Sequence, residues 1–82
     1  MKEVRYGTDA IRALRRHGNM ASRVRAALTE YAADPAAHAN NVRALVGSEF
    51  RRLRVGDYRV IFAETETSIT VIKIGPRGSV YE

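Results

Sequence analysis

Leu-Arg-Val-Gly-Asp-Tyr-Arg-Val-Ile-Phe, residues 53–62, decides the fold. Apolar and charged residues alternate on both sides of Gly56-Asp57, the pattern of two half-buried strands joined by a two-residue turn. With that turn, Val55 pairs with Tyr58, Arg54 with Arg59, Leu53 with Val60 and Arg52 with Ile61, and paired residues share a face of the sheet. One face then holds Leu53, Val55, Tyr58, Val60 and Phe62, as a covered core face should. The other gathers Arg52, Arg54 and Arg59. Like charges directly opposed across a sheet cost a few tenths to ~1 kcal/mol. Arg54 opposite Arg59 therefore calls for a bound polyanion, for acidic neighbours such as Glu49 or Asp57, or for side chains that splay into water. Alternation puts Arg51 on the core face near the outer end of its strand, from which its head snorkels to the rim.

Outward from the hairpin, Phe50–Val55, Tyr58–Glu64 and Ser68–Ile74 read as three strands, and Gly75 to Glu82 as a turn and short tail. Upstream, Lys2–Tyr6 is a short extended segment. Thr8 or Asp9 offers an N-cap for a helix through Ala10, Ile11 and Leu14 that stops at Gly18. After a second capping residue, Asn19, the residues Met20, Val24, Ala27, Leu28 and Tyr31 recur at spacings of three and four until Asp34-Pro35 ends the stripe. Residues 36–48 lack periodicity and read as a loop or turn held to the core by Val42, Leu45 and Val46. The order β-α-α-β-β-β predicts an α+β fold, with the N-terminal strand and helical hairpin packed on one face of a mostly antiparallel four-stranded sheet. Residues 1–82 read as one domain, near the size at which a single core can still hold a fold.

The formal net charge is +5, and 12 of the 14 basic residues are arginine. A basic balance points to nucleic acid, an acidic protein or an anionic surface as partner. Arginine binds phosphate through a planar fork and stays charged in every environment. A genome rich in arginine codons would give the same bias. Arg12, Arg15, Arg16, Arg23 and Arg25 fall largely off the apolar stripes and read as a solvated face. The chain has no cysteine, so thiolate metal sites and disulfides are excluded and a reducing compartment, the cytoplasm, is expected. No long apolar run is present, and neither a signal peptide nor a membrane span is expected. His17 and His38 read as surface residues rather than a metal pair, and no carboxylate cluster offers a magnesium site. No metal and no cofactor are expected.

The stretch at 53–62, followed by Ile-Gly-Pro-Arg-Gly-Ser-Val-Tyr at 74–81, resembles the paired signature of the RelE/ParE toxin superfamily. In its RelE branch a basic strand, a glycine hairpin and Tyr-Arg precede a glycine-x-arginine turn that ends in Val-Tyr. Element order and size match as well. The resemblance implies a toxin of a type II toxin-antitoxin system that cuts mRNA on the ribosome, without metal, by attack of a ribose 2′-hydroxyl on the adjacent phosphate. A cognate antitoxin would hold it inactive in a hetero-oligomer. Carried over by position, the resemblance makes Arg59 and Arg77 the arginines at the scissile phosphate and Tyr81 the base or stacking platform. Arg52 and Arg54, with Lys73, become contacts to RNA phosphates. Two positions depart from the RelE pattern: Phe50 stands where a second lysine is found, and Pro76 where histidine or lysine often follows the glycine. The chain also ends without the C-terminal helix of some relatives. The same superfamily contains ParE toxins, which inhibit DNA gyrase and cut no RNA. A catalytically inactive module that docks an antitoxin or DNA is the third reading.

Overall fold

A computed structural model describes residues 1–45 and 47–76. Its elements are β1 (Glu3–Tyr6), α1 (Thr8–Arg16), α2 (Gly18–Ala33), a 3-10 segment (Ala36–Asn41), β2 (Val42–Ala44), β3 (Phe50–Val55), β4 (Tyr58–Glu64) and β5 (Ser68–Pro76). The fold is α+β as expected. The sheet has five strands rather than four, in the order β1-β5-β4-β3-β2. The additional strand is β2, three residues in the segment read as a loop. It pairs antiparallel with β3, Arg43 opposite Arg52. Only β1 runs parallel to its neighbour, β5.

The β3–β4 register is the one the turn dictates: Val55 opposite Tyr58, Arg54 opposite Arg59, Leu53 opposite Val60 and Arg52 opposite Ile61. Gly56 has φ +58° and Asp57 has no positive φ, so the positive φ sits at the first central position, as a II′ hairpin requires. Conformation rather than space selects glycine there, since the nearest neighbour is the movable end of an exposed side chain. A Cβ at residue 56 would stand 3.3 Å from Nη2 of Arg23 on α2.

Both helices cover one face of the sheet. Leu53, Val55, Val60, Phe62, Ile69, Val71 and Ile74 meet Ala10 and Leu14 of α1 and Val24, Leu28, Tyr31 and Ala32 of α2 in one buried cluster. The apolar stripe of α2 is thus the expected one, whereas Ile11 of α1 lies outside the buried cluster and is 39% exposed. The helix starts differ from expectation. Gly7, extended and without a side-chain cap, precedes α1, so Thr8 and Asp9 are helical. Asp9 lies in the first turn, where its charge complements the helix dipole. His17, not Asn19, precedes α2. No helix among the described residues is long and apolar enough to cross a membrane.

Strand β5 carries an irregularity that redirects its side chains. Phe62 is opposite Val71 while Ile61 is opposite Lys73, which leaves Ile72 as an extra residue between them. A bulge of this kind shifts alternation by one. Ile69 and Val71 face the core before it, and Ile74 does so after it. Strict alternation from Ile69 would have turned Lys73 inward. Deletion of Ile72 would remove the extra residue and leave a regular ladder, with Val71 and Ile74 inward and Lys73 outward. The expected result is a chain that still unfolds cooperatively in urea, because no charge has to be buried and each core residue of β5 keeps its face.

At the end of the core nearest β1, Glu64 accepts hydrogen bonds from Lys2 Nζ and Tyr31 Oη, each at 2.6 Å. Arg51 Nε stands 3.7 Å from the same carboxylate, so this arginine turns from the core face to the rim as expected. Burial raises the Tyr31 pKa, and its hydrogen bond to Glu64 adds to the rise, to about 12. For Glu64 burial acts upward, but the hydrogen bonds from Lys2 and Tyr31 outweigh it and the carboxyl pKa is lowered. A lowered carboxyl pKa stabilises the fold above the unfolded value, and the gain is lost as pH falls through the folded one. A raised phenol pKa acts in the opposite sense: its contribution is complete below pH 10.0 and lost as pH rises towards about 12. Tyr31→Phe is therefore expected to lower the urea midpoint at neutral pH and to reduce its fall between pH 10.0 and about 12. Midpoints measured across that range check this.

Candidate nucleic-acid interface

The sheet face without helices is built row by row. Arg43, Arg52, Ile61 and Lys73 lie opposite one another across β2, β3, β4 and β5, and the next row is Arg54, Arg59 and Gly75. Opposed Cβ atoms in such rows lie about 4.5–5.5 Å apart, so two rows bring together four arginines and a lysine. All four predicted residues that fall within the described chain, Arg52, Arg54, Arg59 and Lys73, share this face. Hairpin register puts the arginines there, and the bulge at Ile72 adds the lysine.

Arg59 sits deepest. It is 8% exposed, against the exposed Arg54 that faces it, and its Nη1 donates to the carbonyl oxygen of Tyr58 at 3.4 Å. On its other side Gly75 contributes no side chain, so the row opens towards the end of β5. Ile61, 5% exposed, lies outside the helix-covered cluster and is flanked in register by Arg52 and Lys73. Phe50 occupies the neighbouring row with Ala63 and Thr70. The position where RelE toxins carry another lysine thus belongs to the same face and places an aromatic ring there.

Neither Glu49 nor Asp57, among the described residues, neutralises Arg43, Arg54 or Lys73. Among the described residues, no carboxylate oxygen lies within ion-pair distance of Arg43, Arg54 or Lys73. The ion pairs found join Lys2 and Arg51 to Glu64, Arg5 to Glu3, and Arg12 to Asp9. Neither Glu49 nor Asp57 forms one. The face holds closely spaced positive charge of the kind that receives a polyanion or stabilises an oxyanion that develops during a reaction.

Arg77 and Tyr81 lie outside the described residues. Strand β5 ends at Pro76, opposite Tyr58 and next to the Arg59–Gly75 pair, and the chain continues from there to both. Arg43 was not singled out in the sequence, because three residues are too few for alternation to show. The available signal was Val42-Arg43-Ala44, an arginine between apolar residues two turns of chain before the basic strand. The histidines are half-buried rather than surface residues. His17 Nδ1 is 2.9 Å from Tyr58 Oη, and the two rings meet edge to face at 5.0 Å, which ties the junction of α1 and α2 to the start of β4.

Known structures share this architecture. The match to a chain of the archaeal RelE–RelB complex from Pyrococcus horikoshii OT3 has a TM-score of 0.76 at 24% identity and covers 96% of this chain and 98% of that one. YafQ from Escherichia coli strain BL21(DE3) matches with a TM-score of 0.69 at 18% identity over the whole of both chains, and its H87Q mutant with 0.67 at 18%. At these identities the likeness is one of fold. No curated protein sequence matches the chain. The sequence from 4 to 81 matches the profile of the ParE toxin of the type II toxin-antitoxin system parDE. With nearly the whole chain inside that profile, the protein belongs to this toxin family, within the RelE/ParE superfamily.

Proposed function

We propose that this toxin is an endoribonuclease that cuts mRNA on the ribosome and is silenced by a cognate antitoxin in the cytoplasm. The observation that carries the reading is the pairing of Arg54 with the buried Arg59, beside Arg52 and Lys73, on the face left open by the helices. An interface that merely grips a protein has no need to oppose guanidinium groups in this way, whereas a phosphorane that gains negative charge does.

In the proposed reaction the ribose 2′-oxygen attacks the adjacent phosphorus as the bond from phosphorus to the 5′-oxygen breaks. The products are a 2′,3′-cyclic phosphate and a 5′-hydroxyl. Tyr81 takes the 2′-proton or stacks on a base, and solvent returns a proton to the departing oxygen. Arg59 and Arg77 hold the phosphate and its developing charge, while Arg52, Arg54 and Lys73 grip the flanking backbone. The steps use no metal. The antitoxin partner would present acidic groups to the same face, which makes inhibition a matter of occupancy.

Transcript 5′ ends mapped after controlled expression test this reading. Wild type should generate new ends inside translated frames. Arg59→Ala and Arg77→Ala should each reduce cleavage on the order of 10²-fold or more, as loss of one oxyanion stabiliser commonly does, with circular dichroism to show that each variant is folded. Unchanged transcripts together with altered DNA topology would instead favour gyrase inhibition, the reading to which the ParE profile gives weight. Growth arrest that persists in both variants would favour a module that acts by binding alone.

The charge pairing also predicts a trade between stability and function. Arg54→Thr removes one of two opposed like charges and should raise stability by a few tenths to ~1 kcal/mol. The urea midpoint should rise while RNA affinity falls.

A further inference from the structure

Strand β1 covers the outer edge of β5 only in its first half. The register between them ends at Tyr6 opposite Val71, where the Gly7 N–H donates to the Val71 carbonyl oxygen at 2.9 Å and the chain turns into α1. A Cβ on Gly7 would stand 3.1 Å from that oxygen, so the turn runs close against β5. From Ile72 onward no strand among the described residues pairs with this edge, and α1 borders it instead. A cleft of about 350 Å³ results, lined by Arg12, Ala13 and Arg16 of α1 and by Lys73, Ile74 and Gly75 of β5. Lys73 and Gly75 also belong to the two arginine rows, opposite Ile61 and Arg59. The cleft is therefore continuous with the open face of the sheet around the edge of β5.

Two kinds of chemistry meet in it. Ala13 and Ile74 pack with the core and give the cleft an apolar wall, while Arg12, Arg16 and Lys73 are exposed and bring three cations to it. Asp9 lines it as well, and its carboxylate lies 3.7 Å from Arg12 Nη1 with both side chains well exposed, a weak pair in water. Arg16 and Lys73 form no ion pair among the described residues. Like charges four residues apart on a helix repel, and here a lysine from the strand joins two arginines. Arg16, in the last turn of α1, offsets the helix dipole, a role that Arg12 one turn earlier does not share. An anion in the cleft relieves the repulsion, and guanidinium forks fit phosphate oxygens in particular. A nucleotide joins an anionic phosphate to a base with a flat π-face, which matches both walls, and the cleft falls within the roughly 300–1,000 Å³ of small-ligand sites. Continuity with the arginine rows makes that nucleotide part of the strand bound there.

We propose that the cleft between α1 and the end of β5 is a second nucleotide subsite, in which Arg12 and Arg16 hold a phosphate of the RNA strand whose neighbouring residue lies at Arg59. The proposal rests on the reading of the open face as an RNA site. Its test measures binding of the full chain to a short single-stranded RNA, 2′-O-methylated so that no attack can occur, by fluorescence anisotropy across a salt series. Arg12→Gln with Arg16→Gln is expected to weaken binding about tenfold at low salt, the loss of one charge-assisted contact. It should also lower the slope of log affinity against log salt by about 0.7, the share of one phosphate on a single strand. Arg15→Gln with Arg23→Gln removes the same charge from exposed positions outside the cleft and should change affinity and slope far less. Glutamine matches arginine in helix propensity, so both pairs stay folded. Equal effects of the two pairs, or no effect of either, would overturn the subsite, and a loss of binding in Arg52→Gln with Arg54→Gln would then leave the RNA face in place. Unchanged RNA binding with weakened binding of oligoglutamate in the cleft variant would assign the cleft to an acidic peptide and overturn the subsite as well. No RNA binding by wild type would overturn both readings.

Discussion

The turn at Gly56-Asp57 is the constraint on which the other features depend. A strand slipped by one residue presents every side chain to the opposite face. In β3 and β4 such a slip would send Arg52, Arg54 or Arg59 beneath the helices and expose Leu53, Val60 or Phe62. Each unpaired buried charge would cost several kcal/mol, and each exposed core side chain would forfeit roughly 1.5–3 kcal/mol. The turn and the hydrophobic pattern therefore specify the same register. The contact of His17 with Tyr58 at the start of β4 ties that register to the helical layer.

The two faces of the sheet differ in what they contribute. Seven strand residues on the helix side pack into one core with the two helices, which at 1.5–3 kcal/mol each is the main favourable term on the strands. The opposite face works against stability, because Arg54 opposes Arg59 and Arg43 opposes Arg52. Each opposition costs at most ~1 kcal/mol. The core outweighs that repulsion several times over, so the fold tolerates a face organised around charge.

Legibility in the sequence followed the strength of local signals. The β3–β4 hairpin could be read residue by residue, because a glycine turn is flanked by alternation on both sides. The stripe of α2 could be read because Val24, Leu28 and Tyr31 repeat at helical spacing. Strand β2 could not, since three residues show no period and an edge strand is defined by its partner. The helix starts were misplaced because Gly7 and His17 cap through backbone geometry, with no side-chain signal. Of the candidate site, Arg52, Arg54 and Arg59 followed from register. Lys73 needed the bulge, which appears in the sequence only as two successive apolar residues, Val71 and Ile72, where alternation would allow one.

The bulge and the hairpin turn together explain how so small a chain carries a site without a separate structure to hold it. Electrostatic stabilisation of a transition state is effective when the charges are already in place, so that no reorganisation is needed during reaction. Loops hold such groups less well than strands do. Here the charges are spaced by the ladder itself, with positions fixed by the pairing of β2, β3, β4 and β5. The strand end that carries Arg54 and Arg59 is braced from the helix side by the contact of His17 with Tyr58. The bulge then absorbs the extra residue Ile72 in β5 and keeps Lys73 outward and Ile74 inward. The core loses no apolar contact by this step and the open face gains a cation.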